Sequence, residues 1–191
     1  MPRQPGRFTT FYPFEQQARA SGYRTVVGLD EAGRGPLAGP VVAAAVLLPA
    51  GTRLAGLQDS KRLTARQRTD VFCLIKQHAL SYGIGIVSHR QIDQKNILRA
   101  TQEAMLLALR RLQPQADFLL IDGNVGLPID LAQQPIVGGD GNCASIAAAS
   151  VVAKVIRDRL MVAYSKRYPA YGFDKHKGYP TVEHYRSLRQ H

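Results

Sequence analysis

Residues 26–40, VVGLDEAGRGPLAGP, constrain this chain more than any other stretch. An apolar run leads straight into two adjacent acids, Asp30 and Glu31, and then into Gly33-Arg34-Gly35. The run predicts a strand over residues 25–30, because β-branched and apolar side chains suit a pleated, buried surface. Neighbouring residues on a strand face opposite ways. The two carboxylates converge only if the chain turns there, and Gly33 and Gly35 make a turn easy. The loop offers bare backbone amides with one guanidinium beside them, which suits a passing phosphate or sugar. The same residues would also serve as an acidic strand end with a glycine turn that binds nothing. The rest of the chain decides between these readings.

A second apolar run, residues 41–48, follows after a short link and predicts an antiparallel partner for the first strand. Thr64 is placed to cap a helix from residue 65 to about 80, with Val71, Leu74, Ile75 and Leu80 as its apolar positions. Residues 82–87 read as a third strand. Ser88 is placed to cap a short helical turn before Asn96. Residues 97–112 predict a longer helix that buries Met105, Leu106 and Leu109. DFLLID, residues 117–122, reads as a strand covered on both faces. A short fifth strand is expected near residues 135–137 and a turn at 140–142. The most strongly helical segment spans residues 145–168, with small residues from Ala147 to Ser150 that allow close approach to a sheet. Pro169 stops it, and Thr181 is placed to cap a last helix to about residue 188. The pattern is a mixed sheet with helices packed on it, an α/β class. Residues 1–22 read as an irregular N-terminal segment holding one short helix at 15–20. Residues 23–191 read as one domain, with C-terminal helices from about 165.

Charge narrows the function. Lys and Arg number 25 against 14 acids, a formal net charge of +11. A polyanionic partner follows, because basic side chains that neutralise phosphates release condensed counterions. No lipidation signal and no separate basic amphipathic helix point to a membrane surface instead, and no apolar run is long enough to span one. Cys73 and Cys143 lie far apart and form neither a zinc spacing nor a disulfide framework. Reduced thiols and the lack of a signal-peptide pattern point to the cytoplasm. Nothing specifies an oligomer, so a monomer is expected.

Acids recur where strands end: Asp30 with Glu31, then Asp122, then Asp140 in the turn before the long helix. Sites in open α/β sheets form at such ends. Four hard oxygen donors with no His or Cys beside them suit Mg²⁺ or Mn²⁺ rather than zinc. Packed like charges raise one another's pKa, and divalent cations offset that repulsion. Two such ions about 4 Å apart serve in-line displacement at phosphorus. Taken singly, Asp122 and Asp140 read as ordinary turn residues; taken together in so basic a chain, they read as a metal site.

GLDEAGRGPLAGPVVAAAV resembles the signature of the bacterial type 2 ribonuclease H family, ribonuclease HII. DSKRL at residues 59–63, IDG at 121–123, the GD at 139–140 with SIAAASVVAKVIRDR after it, and YPAYGFDKHKGYPT at 168–181 are similar to further motifs of that family, in its order. The resemblance implies a ribonuclease H-like fold, a five-stranded mixed sheet flanked by helices with a C-terminal helical extension. It implies an endonuclease that cuts the RNA strand of RNA–DNA hybrids and nicks DNA 5′ to an embedded ribonucleotide, starting ribonucleotide excision. It implies that Asp30, Glu31, Asp122 and Asp140 bind metal. Gly33, Arg34 and Gly35 match the loop that reads the ribose 2′-hydroxyl, and Tyr179 matches a tyrosine that stacks on the adjoining sugar. Ser60, Lys61, His176 and Lys177 are candidate phosphate contacts, with solvated surface as their plainer role. After Gly139-Asp140 the family often has a basic or longer linker where this chain has Gly141-Asn142-Cys143-Ala144, which leaves Asp158 as the fallback acid.

Two alternatives remain at this point. A non-catalytic hybrid-binding module of the same fold predicts loss of a site carboxylate, and all four are present. A small-nucleotide phosphohydrolase predicts a P-loop or dinucleotide pattern, which residues 30–35 do not match.

Overall fold

The computed structural model describes residues 13–57 and 63–191. Helix α1 (Pro13–Ala20) precedes strands β1 (Val26–Ala32) and β2 (Val41–Leu47). Helix α2 (Ala65–His78), strand β3 (Ser81–Val87) and helices α3 (His89–Lys95) and α4 (Ile97–Leu109) follow. Then come β4 (Phe118–Asp122), β5 (Gln133–Ile136), a 3₁₀ turn at Gly139–Gly141 and the 24-residue helix α5 (Ala144–Arg167). A second 3₁₀ turn (Pro169–Tyr171), α6 (Phe173–His176) and α7 (Val182–Gln190) complete the order.

The five strands form one mixed sheet in the order β3-β2-β1-β4-β5. β1 pairs antiparallel with β2 and β2 with β3, as the short links require. β4 adds in parallel beside β1, and β5 in parallel beside β4, each after a crossover. The three parallel strands therefore end on the same edge, where their loops meet. β2 is buried along its whole length because both faces of the sheet are covered. Ala44 and Val46 pack towards α2 and α5, whereas Val41, Ala43, Ala45 and Leu47 pack towards α4.

Close approach sets both helix layers. A Cβ on Gly28 would lie 2.1 Å from the Ser145 carbonyl carbon, so α5 rides directly on β1 through its small first turns. Cβ atoms on Gly83 and Gly85 would lie 2.0 and 1.8 Å from the carbonyl oxygens of Ala108 and Ala104. This changes the expected face of α4: Ala100, Thr101, Ala104, Met105 and Ala108 are buried, while Leu106 and Leu109 are only partly so. On α2, Phe72 joins Val71 and Ile75 inside; Leu80 lies beyond the helix end and is exposed.

Thr64 and Ser88 form capping boxes with Gln67 and Gln91, and Thr181 caps α7. The first turn of α5 is capped from far away instead. Glu15 of α1 accepts from the Ser145 amide at 3.0 Å and its hydroxyl at 2.8 Å. A carboxylate there also faces the positive end of the helix dipole. Among the described residues, no helix is long and apolar enough to cross a membrane.

Candidate active site

The carboxyl edge of the parallel strands gathers the acids. In the β1–β4 register, Leu29 lies beside Ile121, so Asp30 and Asp122 follow on adjacent strands. Asp122 Oδ1 accepts the Gly139 amide at 2.7 Å, which ties the 3₁₀ turn to the end of β4 and places Asp140 in the site. Asp140 is buried and lines one cleft with Glu31. The shortened linker after it therefore does not divert it. Asp158, the fallback, is bound on α5 to Lys154 at 2.7 Å and approaches Arg68 at 3.9 Å. Arg159, its neighbour in sequence, lies over Phe72 instead.

β1 continues through Ala32, so the chain does not turn at the two acids. They are still electrostatically close. Burial lifts the Asp30 carboxyl well above its usual range, and the charges of Glu31 and Asp122 push the same way. The Ser150 hydroxyl and the Glu31 amide, at 2.7 Å, oppose this. Glu31 is raised by burial, lowered by the Arg34 bond at 3.2 Å and raised again by Asp122. One Glu31 oxygen, Oε2, is buried without a hydrogen-bond partner. Among the described residues, no three His, Cys, Asp or Glu side chains stand grouped so that they could hold a metal ion as they are. The acids form a loose array of hard oxygen donors, of the type that takes Mg²⁺ or Mn²⁺.

The two loop glycines differ in their reasons. Gly33 has φ +118°, and a Cβ there would lie 2.5 Å from the Pro40 oxygen and 2.7 Å from Arg157 Nε. Its backbone demands glycine. Gly35 has no such φ, and a Cβ there would meet only the Tyr179 ring at 3.8 Å. The fold does not require a glycine at 35, and what its absent side chain leaves open is the cleft towards Tyr179. Arg34 is half-exposed at the mouth.

Tyr179 lines the same cleft, with Lys154 Nζ 5.3 Å and the Arg157 guanidinium carbon 5.9 Å from its ring centre. His176 is not positioned as a phosphate contact. It is buried against His184, with ring centres 4.4 Å apart, and both its nitrogens are engaged. Nδ1 accepts the Gly178 amide, and Nε2 is 2.8 Å from the Tyr171 carbonyl. The Lys177 amine folds back onto the Asp174 carbonyl. Ser60 and Lys61 lie outside the described residues. Among the described residues, Arg68 and Lys154 bring positive charge to the cleft, and Ser150 touches Asp30. Ser150, Lys154 and Asp158 recur every fourth residue along one face of α5, a spacing visible in the sequence. Nothing local singles out Arg68.

The sequence profile described as Ribonuclease HII matches residues 27–191. The Ribonuclease HII of Geobacter sulfurreducens is 54% identical over 173 residues, covering 91% of this chain and 80% of that protein. That of Geobacillus kaustophilus is 50% identical over 185 residues, covering 97% and 71%. Among solved structures, the ribonuclease H2 of Pyrococcus horikoshii superposes with a TM-score of 0.75 at 27% identity, over 86% of this chain and 85% of that one. Bst-RNase HIII in complex with Mn²⁺ superposes at 0.68 with 16% identity, over 93% and 73%, a likeness of fold alone. The five-stranded mixed sheet is thus the ribonuclease H-like fold, and the chain, a metal-dependent ribonuclease H endonuclease acting on nucleic acid, belongs to the ribonuclease HII family.

Proposed function

We propose that this endonuclease hydrolyses the RNA strand of RNA–DNA hybrids and nicks duplex DNA on the 5′ side of an embedded ribonucleotide, leaving 3′-hydroxyl and 5′-phosphate ends. One observation carries the reading: Glu31 and Asp140 open onto the same cleft as the Gly33–Gly35 loop and the Tyr179 ring, beside a buried Asp30 whose carboxyl the charges of Glu31 and Asp122 raise further. An RNA-to-DNA junction presents a 2′-hydroxyl on one sugar and none on the next. Amides of Gly33 and Gly35 can approach the first without an intervening side chain, and the Tyr179 ring offers an apolar face for the second. Arg34, Arg68 and Lys154 are placed to neutralise flanking phosphates.

Asp30, Glu31, Asp122 and Asp140 are the residues that would hold two divalent ions, Mn²⁺ or Mg²⁺. Hard oxygen donors at one sheet edge, with Asp30 raised by the charges of Glu31 and Asp122 and Glu31 Oε2 buried without a hydrogen bond, fit such ions although the side chains do not stand as a closed cage. When bound, the pair supplies activation of a water and stabilisation of the leaving oxygen. The chain itself supplies the fixed negative array, the positive rim and the grip on the sugars, so catalysis is positioning and electrostatics with no covalent enzyme intermediate. The setting this implies is the first step of ribonucleotide excision repair, performed by a monomer in the cytoplasm. A binding module without activity gains no support from a site with all four acids in place.

The test is cleavage of three end-labelled duplexes with Mn²⁺ or Mg²⁺: all-DNA, DNA with one ribonucleotide, and RNA–DNA hybrid. The expected result is cutting of the last two only, abolished by chelator, with the nick mapped 5′ to the ribonucleotide. Binding without cutting would leave the module; cutting of all-DNA duplex would refute the role given to the glycine loop.

A further inference from the structure

Arg157 is fully buried on α5, and the sequence marks it only as a neighbour of Asp158. Its guanidinium reaches two loops at once. Nε donates to the Pro40 carbonyl at 3.0 Å and Nη2 to the Ala38 carbonyl at 3.0 Å, both in the loop that begins at Gly33. Nη1 donates to the Lys177 carbonyl at 2.9 Å, in the loop that carries Tyr179. These bonds go to main-chain carbonyls, so what the guanidinium fixes is the path of two backbones.

Other contacts show how closely the loops are joined. The Leu37 amide donates to the Gly178 carbonyl at 2.9 Å. A Cβ on Gly178 would lie 2.4 Å from the Ala38 oxygen. Lys177, whose carbonyl Arg157 holds, sits at φ +53°, a conformation that a non-glycine residue keeps only when its surroundings enforce it. The Tyr179 ring then lies beside the same guanidinium.

We propose that Arg157 is a positioning residue that sets the spacing between the Gly33–Gly35 loop and the Tyr179 ring, and hence the fit of a single ribonucleotide between them. The inference rests on the proposed function, because it concerns that substrate's fit. A planar fork rooted in a 24-residue helix can hold three carbonyls in fixed directions; an ammonium of equal charge cannot. The spacing is therefore a property of the fork rather than of the charge, and Arg157→Lys separates the two.

The chain contains no Trp, so Tyr179→Trp introduces a single emitter that reports on the ring without any nucleic acid. In that background Arg157→Lys should lower emission anisotropy and increase quenching by acrylamide. In the Tyr179 enzyme, Arg157→Lys should raise KM for the one-ribonucleotide duplex about tenfold with kcat changed less than about threefold, the mark of lost uniform binding. Combined with Tyr179→Ala, it should add less than about twofold, since both changes remove one interaction. Arg157→Gln is the second variant, with the same expectations, should the lysine variant fail to fold; all assays run well below each melting midpoint. A merely structural role predicts lower stability with emission unchanged and effects on KM that multiply, and that result overturns the inference. If the wild type cuts no duplex, the proposed function fails and this inference with it. If the wild type cuts while emission and KM of the variants stay at wild-type values, only this inference fails.

Discussion

Asp30 is buried at the end of β1 with the charges of Glu31 and Asp122 close by, and its carboxyl is lifted well above the ordinary range. Its linkage to folding has a definite sign. The unfolded carboxyl ionises near 3.8 and the folded one higher, so between those values the folded chain binds more protons. Stability falls as pH rises through that window and does not recover above it. In chelator, the wild type should therefore lose thermal stability relative to Asp30→Asn as pH rises from about 4, where the two start level. Scanning both proteins across pH by calorimetry checks this, and added Mn²⁺ should narrow the gap above the window by stabilising the wild type more. The loop glycines allow a second test. Gly33→Ala should cost about 1–3 kcal/mol of stability, because φ +118° and the Pro40 oxygen both oppose a side chain. Gly35→Ala should stay within about 0.5 kcal/mol of wild type yet cut the one-ribonucleotide duplex poorly. Denaturant melts and nicking rates distinguish the two.

At the scale of elements, α4 and β3 show what a sequence holds and what it hides. Local signals were legible: Thr64, Ser88 and Thr181 each sit where a helix begins, because a cap bonds only within its own first turn. The alanine-rich start of α5 was legible as a face for close packing. The buried face of α4 was not, since its leucines are the obvious core candidates and the reason against them lies on another strand. Gly83 and Gly85 leave no room for anything but the Ala104 and Ala108 turns above them. Gly85→Ala should therefore destabilise by about 1–3 kcal/mol or more through overpacking, read as a drop in denaturant midpoint at unchanged m. The same limit applies at the site. Asp30, Glu31, Asp122 and Asp140 stand out because each ends an apolar run or opens a turn. Arg68, Arg157 and the burial of His176 depend on which distant loops meet, and spacing along the chain does not carry that.

For the molecule as a whole, the formal charge of +11 sits beside a cleft whose floor is acidic. In the proposed function the positive groups work at the rim, on phosphates, and the acids hold the cations. Binding of hybrid should weaken steeply with salt, and Arg68→Ala or Lys154→Ala should each reduce the slope of log affinity against log salt by about 1. Filter binding in chelator over a salt series measures it. The central claim is that the buried acids are retained for chemistry at a cost in stability. Asp30→Asn tests it most directly, measured for nicking of a one-ribonucleotide duplex and for thermal midpoint in chelator at neutral pH. The account predicts that nicking is lost while the variant melts at or above the wild-type temperature. A variant that still nicks, or one that melts well below wild type, would contradict it.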